Sequence, residues 1–361
     1  MSKVKIRESN FELLRLVCMF FIIIHHFLVH GLQSVGYAEG DFNIGAVFFN
    51  CFLIIGVNCF VLISGYFGIN PTWKGFFNLT LLCLFYTFSI TIISFLISGS
   101  FELKKFIYSL LPISHSPYWF IRSYFYLFLL SFMLNKVVLN STKFEFLSII
   151  SILSILTFYY GFFWAGEINP GGYNLFQFIF LYFIGRYIAL HTQINSNISF
   201  KRNLALIYVF SSICVFGIVL AIFYSPLNIS WIIKWGYAYN SPFIVISSIA
   251  FFLLFRGIKI SSQYVNNLAI STLAIYIIHE NPNISPKLYT FINEISKAIP
   301  SQWLLMLIFP IFALIIMFIC IYIDKLRILA TTPIQNKLSS INWDNKIEKL
   351  FDFITKRKIN S

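Results

Sequence analysis

The chain has 361 residues, of which 58% are hydrophobic and only 11% are charged. Soluble domains carry about 25% charged residues, so this composition excludes an ordinary soluble enzyme and predicts that lipid is the main solvent. The formal net charge of +13 does not indicate a nucleic-acid partner, because the Lys and Arg residues lie between apolar runs and do not cluster on one face.

Ten segments of mainly apolar residues predict ten transmembrane helices, since a helix rises about 1.5 Å per residue across a hydrocarbon core of about 30 Å. In chain order the predicted spans cover residues 11–32, 46–68, 76–98, 117–137, 144–165, 174–191, 204–224, 239–257, 266–283 and 303–323. A cleaved signal peptide is the alternative for the first segment, but its charged start and the nine segments that follow disfavour it. The predicted fold class is an all-α polytopic membrane protein.

The distribution of positive charge predicts the orientation. With the N-terminus inside, nineteen of the 26 Lys and Arg residues fall on cytoplasmic segments and five fall outside. Short cytoplasmic loops retain positive charge, so both termini are predicted to be cytoplasmic in a multi-pass protein of the cell membrane. We expect a transmembrane domain over residues 1–324 and a basic tail over residues 325–361. Apolar residues at helical spacing from Trp343 to Ile354 favour an amphipathic tail helix, with a solvated tail as the alternative.

The first span, SNFELLRLVCMFFIIIHHFLVHG, carries most of the candidate chemistry, because ionisable side chains are unfavourable inside a bilayer. Arg15 and His26 are eleven residues apart, so they share one helix face about 16 Å apart. His30 lies one turn beyond His26 while His25 points about 100° away, which favours His26 as a base. Hydrogen bonding between helices is the alternative for the histidines. Glu12 is a catalytic candidate together with His26 and Arg15, and closing a capping box or orienting Arg15 are its structural alternatives.

Two later spans place candidate side chains in the outer half of the membrane. The fourth opens with SPYWFIRSYFYLFLL and contributes Trp119 and Arg122, and the ninth ends with IYIIHENPN and contributes His279. Together with His30 they form the predicted acceptor side, because aromatic faces and guanidinium groups suit a sugar. The alternatives are an arginine that snorkels to the interface and a His279–Glu280 pair that only marks it.

The inner ends of the spans are basic, with Arg15, Lys74, Arg186 and Arg256. Such a mouth suits a phosphate-rich ligand from the cytoplasm, while a histidine in the outer half suits proton abstraction from an acceptor. This arrangement predicts group transfer across the membrane. No metal is expected, because the six Cys fall mostly in apolar segments and show no Cys/His ligand spacing.

At these residues the chain resembles membrane-bound acyltransferase family 3, which O-acetylates or otherwise O-acylates bacterial surface polysaccharides and related acceptors. The blocks that carry the resemblance are FELLRLVCMFFIIIHH, VNCFVLISGYF, YWFIRSYFYLFLL, GGYNLFQFIFLYFIGRYI, NSPFIVISSIAFFLLF and IYIIHENPN. The resemblance implies about ten helices, a cytoplasmic acyl-CoA donor and an acceptor hydroxyl near or beyond the membrane. It carries the essential histidine onto His26 and the paired arginine onto Arg15, and it marks Ser64, Gly65 and Tyr66 as a functional turn.

The predicted function is transfer of an acyl group, with acetyl-CoA as the commonest donor of the family, to a hydroxyl of a surface polysaccharide or lipid-linked glycan. His26 would act as the base or as a transient acyl carrier. The predicted donor-binding residues are Arg15, Ser64, Gly65, Tyr66, Lys74 and Arg186. Many relatives have an acidic residue where this chain has Arg122, so an acid/base role there is not implied. A polysaccharide polymerase or flippase and a proton-coupled transporter are the alternatives, and the acceptor sugar and oligomeric state are left open.

Overall fold

The computed structural model describes residues 7–32, 43–114, 118–164, 168–194, 196–224, 236–299 and 301–339. Every regular element in these ranges is helical, which confirms the all-α prediction for them. The α-helices, in chain order, are α1 (Ser9–His26), α2 (Ile44–Leu53), α3 (Gly56–Phe67), α4 (Trp73–Ser98), α5 (Leu103–Ser109), α6 (Trp119–Asn140), α7 (Lys143–Ile155), α8 (Leu175–His191), α9 (Ile198–Tyr224), α10 (Pro242–Arg256), α11 (Gln263–Ala269), α12 (Thr272–His279), α13 (Ser285–Ala298) and α14 (Gln302–Ser339). Helix α1 continues as a π-helix over Phe27–Gly31, α7 continues as one over Leu156–Phe163, and Pro170–Gly172 form a short 3-10 turn.

Seven helices within the described ranges are long and apolar enough to cross a membrane. They are Ser9–Gly31, Ile44–Phe67, Trp73–Ser98, Trp119–Asn140, Lys143–Phe163, Ile198–Tyr224 and Gln302–Pro333. Helices α8 and α10 are apolar but shorter, and the predicted ninth span is divided between α11 and α12. Seven spans are therefore supported by length and composition, while the total of ten and the orientation of the termini stay predictions.

Helix α1 contacts α2, α3, α10, α11, α12 and α14, so its side chains face other helices on most sides. Next to it, glycines allow a close crossing of α3 and α8. A Cβ atom on Gly65 would lie 2.4 Å from the carbonyl oxygen of Tyr182, and one on Gly185 would lie 2.5 Å from that of Leu62. Small residues permit such close backbone contact between membrane helices, where lipid gives little hydrophobic drive for association.

The segment expected to be a functional turn is helical, so the expectation of a turn is wrong, while a functional role of these residues stays a prediction. Ser64, Gly65 and Tyr66 lie inside α3, and the chain turns only at Gly68, which has a φ of 71°. Glycine adopts this left-handed region without the steric cost that a Cβ atom brings. Arg186 of α8 donates from Nη1 to the carbonyl oxygen of Tyr66 at 3.2 Å, which satisfies one of the carbonyls left free at a helix end.

The capping box predicted at the start of α1 is also absent from the structure. Glu8 is the N-cap residue, and it makes no side-chain cap hydrogen bond. The hydroxyl of Ser9 instead accepts a hydrogen bond from the backbone N–H of Ser262 at 2.9 Å. This contact ties the start of α1 to the segment before α11, so Ser9 is used for packing between distant parts of the chain.

Helix α14 runs through the predicted domain boundary at residue 324 and ends at Ser339, while the predicted tail helix near residues 343–354 lies outside the described residues. Asp324 is fully buried at the contact of α14 with α4. Its Oδ1 accepts from the Tyr86 hydroxyl at 2.6 Å and from Arg327 Nε at 2.7 Å. A buried carboxylate with these two donors joins the two helices.

Candidate active site

A cavity with about 860 Å³ of empty space, part of it open to the surroundings, lies between α1, α3, α6 and α12. Helix α1 contributes Arg15, Met19, Ile22 and His26 to its wall, at spacings of four, three and four residues that place all four on one face. Arg15 and His26 therefore lie about 16 Å apart along one continuous wall of the cavity. The other lining residues are mostly apolar or aromatic: Val57, Phe60, Ser64, Trp119, Phe120, Tyr124, Tyr239, Thr272, Leu273 and Tyr276.

At one end of the cavity a buried carboxylate holds Arg15. Arg15 Nη1 donates to Glu12 Oε1 at 2.6 Å, and Arg7 Nη1 lies 3.6 Å from Glu12 Oε2. Of the structural roles expected for Glu12, the structure contains the orientation of Arg15, and its catalytic role stays a prediction. A guanidinium group has five N–H donors, so Arg15 keeps donors for an anionic ligand while Glu12 fixes its position.

Aromatic rings form the wall opposite α1. The ring of Trp119 lies 4.7 Å from that of Tyr173 and 5.5 Å from that of Tyr239, measured between centroids. The carbonyl oxygen of Tyr239 accepts from Asn58 Nδ2 and from Gln177 Nε2, both at 3.0 Å. Burial raises the pKa of Tyr173 to about 12, so its phenol stays protonated at neutral pH. The wall is thus fixed by hydrogen bonds to α3 and α8.

At the other end of the cavity, hydrogen bonds assign the tautomer of His26. His279 Nδ1 lies 2.6 Å from the carbonyl oxygen of Ile275, which can only accept, so His279 carries a proton on Nδ1. The Nε2 atom of a neutral His279 is then an acceptor, and it lies 3.1 Å from His26 Nδ1. Glu280 Oε1 also lies 3.1 Å from His26 Nδ1. Because both neighbours accept, His26 donates from Nδ1, and its lone pair is on Nε2.

The same three side chains are close enough to be considered as a metal site. One ligand atom from each of His26, His279 and Glu280 lies within 4.8 Å of the others, and two histidines with a carboxylate are a ligand set that zinc uses. The hydrogen bonds already explain this proximity, and the expectation that no metal is needed stays a prediction.

Two further residues extend the cluster away from the cavity. The Tyr289 hydroxyl donates to Glu280 Oε1, and the ring centroid of Tyr289 lies 5.2 Å from that of His30. His30 is exposed, and its ring centroid lies 5.5 Å from that of His26. The π-helical turn that follows α1 carries His30, and such turns are frequent at functional sites.

The structure separates the two adjacent histidines of α1. His25 is buried, and its Nδ1 lies 2.6 Å from Oδ1 of the fully buried Asn50 on α2. An amide oxygen only accepts, so His25 donates this hydrogen bond and links α1 to α2. His26 lines the cavity and His25 does not. Geometry therefore favours His26 as the reactive residue.

The predicted donor-binding residues divide into two groups. Arg15 and Ser64 line the cavity. The others do not line it in the part of the chain that the structure describes: Gly65, Tyr66 and Arg186 form the crossing of α3 with α8, and Lys74 is exposed in the first turn of α4.

The predicted acceptor-side residues divide as well. His279 contacts His26, and His30 is its neighbour. Trp119 instead lines the cavity that Arg15 also lines. Arg122 is exposed on α6 and lies outside the cavity walls among the described residues.

The site also contains Glu280 and Tyr289, which were not among the site residues predicted from the sequence. Glu280 follows His279 directly in IYIIHENPN, so an acidic residue beside a histidine at the end of an apolar segment was the available signal. A tie between α6 and α12 holds this end in place: the Tyr118 hydroxyl donates to the carbonyl oxygen of Ile277 and accepts from Asn281 Nδ2, both at 3.0 Å.

Comparison with known proteins identifies the family to which the chain is similar. The model of acyltransferase family 3, described as an acyltransferase domain, matches residues 8–325. No curated protein and no solved structure matches the chain.

Proposed function

Because the chain belongs to membrane acyltransferase family 3, we propose that it transfers an acyl group from cytoplasmic acyl-CoA to a hydroxyl of a surface polysaccharide or lipid-linked glycan. Acetyl-CoA is the donor to test first. The observation that carries the proposal is one cavity lined by both Arg15 and His26, with the Nδ1 atom of His26 held by His279 and Glu280.

The shape and chemistry of the cavity support a CoA thioester as donor. Arg15 offers a guanidinium group that can bind phosphate oxygens through two parallel hydrogen bonds. Between Arg15 and His26 the wall is mainly apolar and aromatic, which suits the thin and weakly polar pantetheine arm. A donor bound by its phosphates near Arg15 would extend along α1 and bring its thioester to His26.

The transfer step then follows from the tautomer of His26. His26 Nε2 takes the proton of the acceptor hydroxyl while the hydroxyl oxygen attacks the thioester carbonyl carbon. The carbon–sulfur bond breaks as the tetrahedral intermediate collapses, and the CoA thiolate takes the proton back from Nε2. The products are the O-acyl ester and CoA–SH, and His26 is neutral again. Glu280, 3.1 Å from Nδ1, stabilises the imidazolium formed between these steps.

The test compares the same substitution at two histidines. His26→Gln should lower kcat by 10²–10⁴-fold, which is about the contribution of a general base. His191→Gln is the matched control, because His191 lies at the far end of α8, where its ring contacts those of Tyr187 and Phe146, away from the cluster. The substrates are radiolabelled acetyl-CoA and the surface glycan of the producing cells, stripped of its esters by mild base.

Both variants must elute as the wild type does in detergent, so that loss of activity is not loss of folding. A folded His26→Gln protein with wild-type kcat would overturn the role of His26. Wild-type protein that consumes no acetyl-CoA with this glycan would overturn the proposed donor and acceptor.

A further inference from the structure

A second cavity, with about 710 Å³ of empty space that is partly open to the surroundings, lies beside His30. Unlike the first cavity, it is lined mainly by polar side chains. The described residues that line it are His30, Pro286, Tyr289, Thr290, Asn293, Glu294 and Lys297. No step of the proposed chemistry uses it so far, and in the predicted orientation it faces the outside of the cell.

Helix α13 supplies all of this wall except His30. From Pro286 to Lys297 the lining residues recur at spacings of three and one, which places them on one helix face. The opposite face packs on the bundle through the fully buried Ile292, whose Cγ2 lies 2.5 Å from where a Cβ atom on Gly31 would stand. The absence of a side chain at Gly31 lets α13 pack directly on the π-helical turn that follows α1, so the polar face is held beside His30.

Two contacts join this cavity to His26. On one side, the Tyr289 hydroxyl donates to Glu280, whose Oε1 lies 3.1 Å from His26 Nδ1. On the other side, the ring of His30 lies 5.5 Å from that of His26. One layer of side chains therefore separates the polar cavity from His26, which lines the end of the first, mainly apolar cavity.

The chemistry of the polar wall suits a ligand rich in hydroxyl groups. Asn293 offers an amide oxygen and two N–H donors, Glu294 offers two acceptor oxygens, and Thr290 offers a hydroxyl. Tyr289 adds a partly buried ring with a polar tip, which can pack against the apolar face of a sugar. Acyl-CoA, with its phosphates and long apolar arm, fits the first cavity better than this one.

We propose that the polar cavity binds the sugar ring of the acceptor, with the hydroxyl to be acylated directed past His30 towards His26. This inference rests on the proposed function, and it adds a place for the acceptor separate from that of the donor. The donor then reaches His26 along α1 from Arg15, and the acceptor reaches it from the side of His30. Trp119 lines the donor cavity, and residues of α13 bind the acceptor in place of Trp119 and Arg122, which were predicted from the sequence.

The test uses Asn293→Ala and Glu294→Gln on the full-length protein in detergent, with acetyl-CoA and the base-stripped surface glycan as substrates. Each variant loses hydrogen bonds to the sugar, so we expect the apparent KM for glycan to rise about tenfold. The KM for acetyl-CoA and the slow release of CoA without glycan should stay within about twofold of wild type. Glu102→Gln is the matched control, because Glu102 is exposed and pairs only with Lys105 in the described structure.

A selective rise in glycan KM in both cavity variants, with none in the control, supports the proposal. Unchanged glycan KM in both variants would overturn it while leaving the proposed function intact. An equal loss of donor turnover and glycan transfer in folded variants would overturn it too, because the cavity would then not be specific to the acceptor. Failure of the proposed function looks different, since the wild type itself would not acylate the glycan.

Discussion

Glu280→Gln tests how much the carboxylate beside His26 contributes to transfer. Glu280 Oε1 lies 3.1 Å from His26 Nδ1, and the two side chains are only 19% and 12% exposed, so water screens the pair weakly. At an effective dielectric constant of about 20, a full carboxylate–imidazolium pair at this distance attracts by about 5 kcal/mol. In the transition state His26 holds about half of the positive charge, so removing the negative charge should cost about 2–3 kcal/mol, or about 100-fold in kcat.

The assay measures kcat and the KM for acetyl-CoA with the base-stripped glycan. Because Glu280 acts through His26 and is remote from Arg15, the loss should fall on kcat, with the acetyl-CoA KM within about twofold of wild type. Glu280→Asp keeps the charge and should recover part of the loss. A folded Glu280→Gln protein with kcat within about threefold of wild type would refute the reasoning, and so would a loss expressed only in the acetyl-CoA KM.

Three further predictions follow from other parts of the structure. Arg15→Ala should raise the acetyl-CoA KM about 10-fold or more, and added salt should raise the acetyl-CoA KM of the wild type. The control Arg122→Ala, at an exposed position, should leave the KM for both substrates unchanged. Equal effects of the two variants would contradict the donor site at Arg15. Gly65→Ala should destabilise the protein by about 1–3 kcal/mol, because its Cβ would meet the Tyr182 carbonyl oxygen at 2.4 Å. Gly217→Ala, with no atom within 4 Å, should show no loss of thermal stability, and similar melting of the two would show that the crossing tolerates a methyl group. Treatment with EDTA should leave acyl transfer unchanged, and a loss that Zn²⁺ restores would instead make the His/Glu cluster a metal site.

The local pattern of the sequence determined the features that lie within a single helix. Long apolar runs predict helices because the bilayer offers no hydrogen-bond partners for an open backbone. The stripe from Arg15 to His26 follows from helical periodicity alone, and both residues line one cavity. The same reasoning was wrong where the local signal had a competing use: Ser9 bonds to Ser262 and makes no capping box, and Ser64 to Tyr66 remain helical.

Only the tertiary structure decided which partners meet. The contact of His26 with His279 joins residues 253 positions apart, and the position of Glu280 within that contact depends on how α12 ends against α1. A polar residue at the end of an apolar span has the same sequence signal whether it faces lipid headgroups or another helix, so Glu280 and Arg122 could not be distinguished beforehand. The packing of the bundle partly buries Glu280 beside His26 and leaves Arg122 exposed, because side-chain surroundings are set by neighbouring helices and not by the helix that carries the residue.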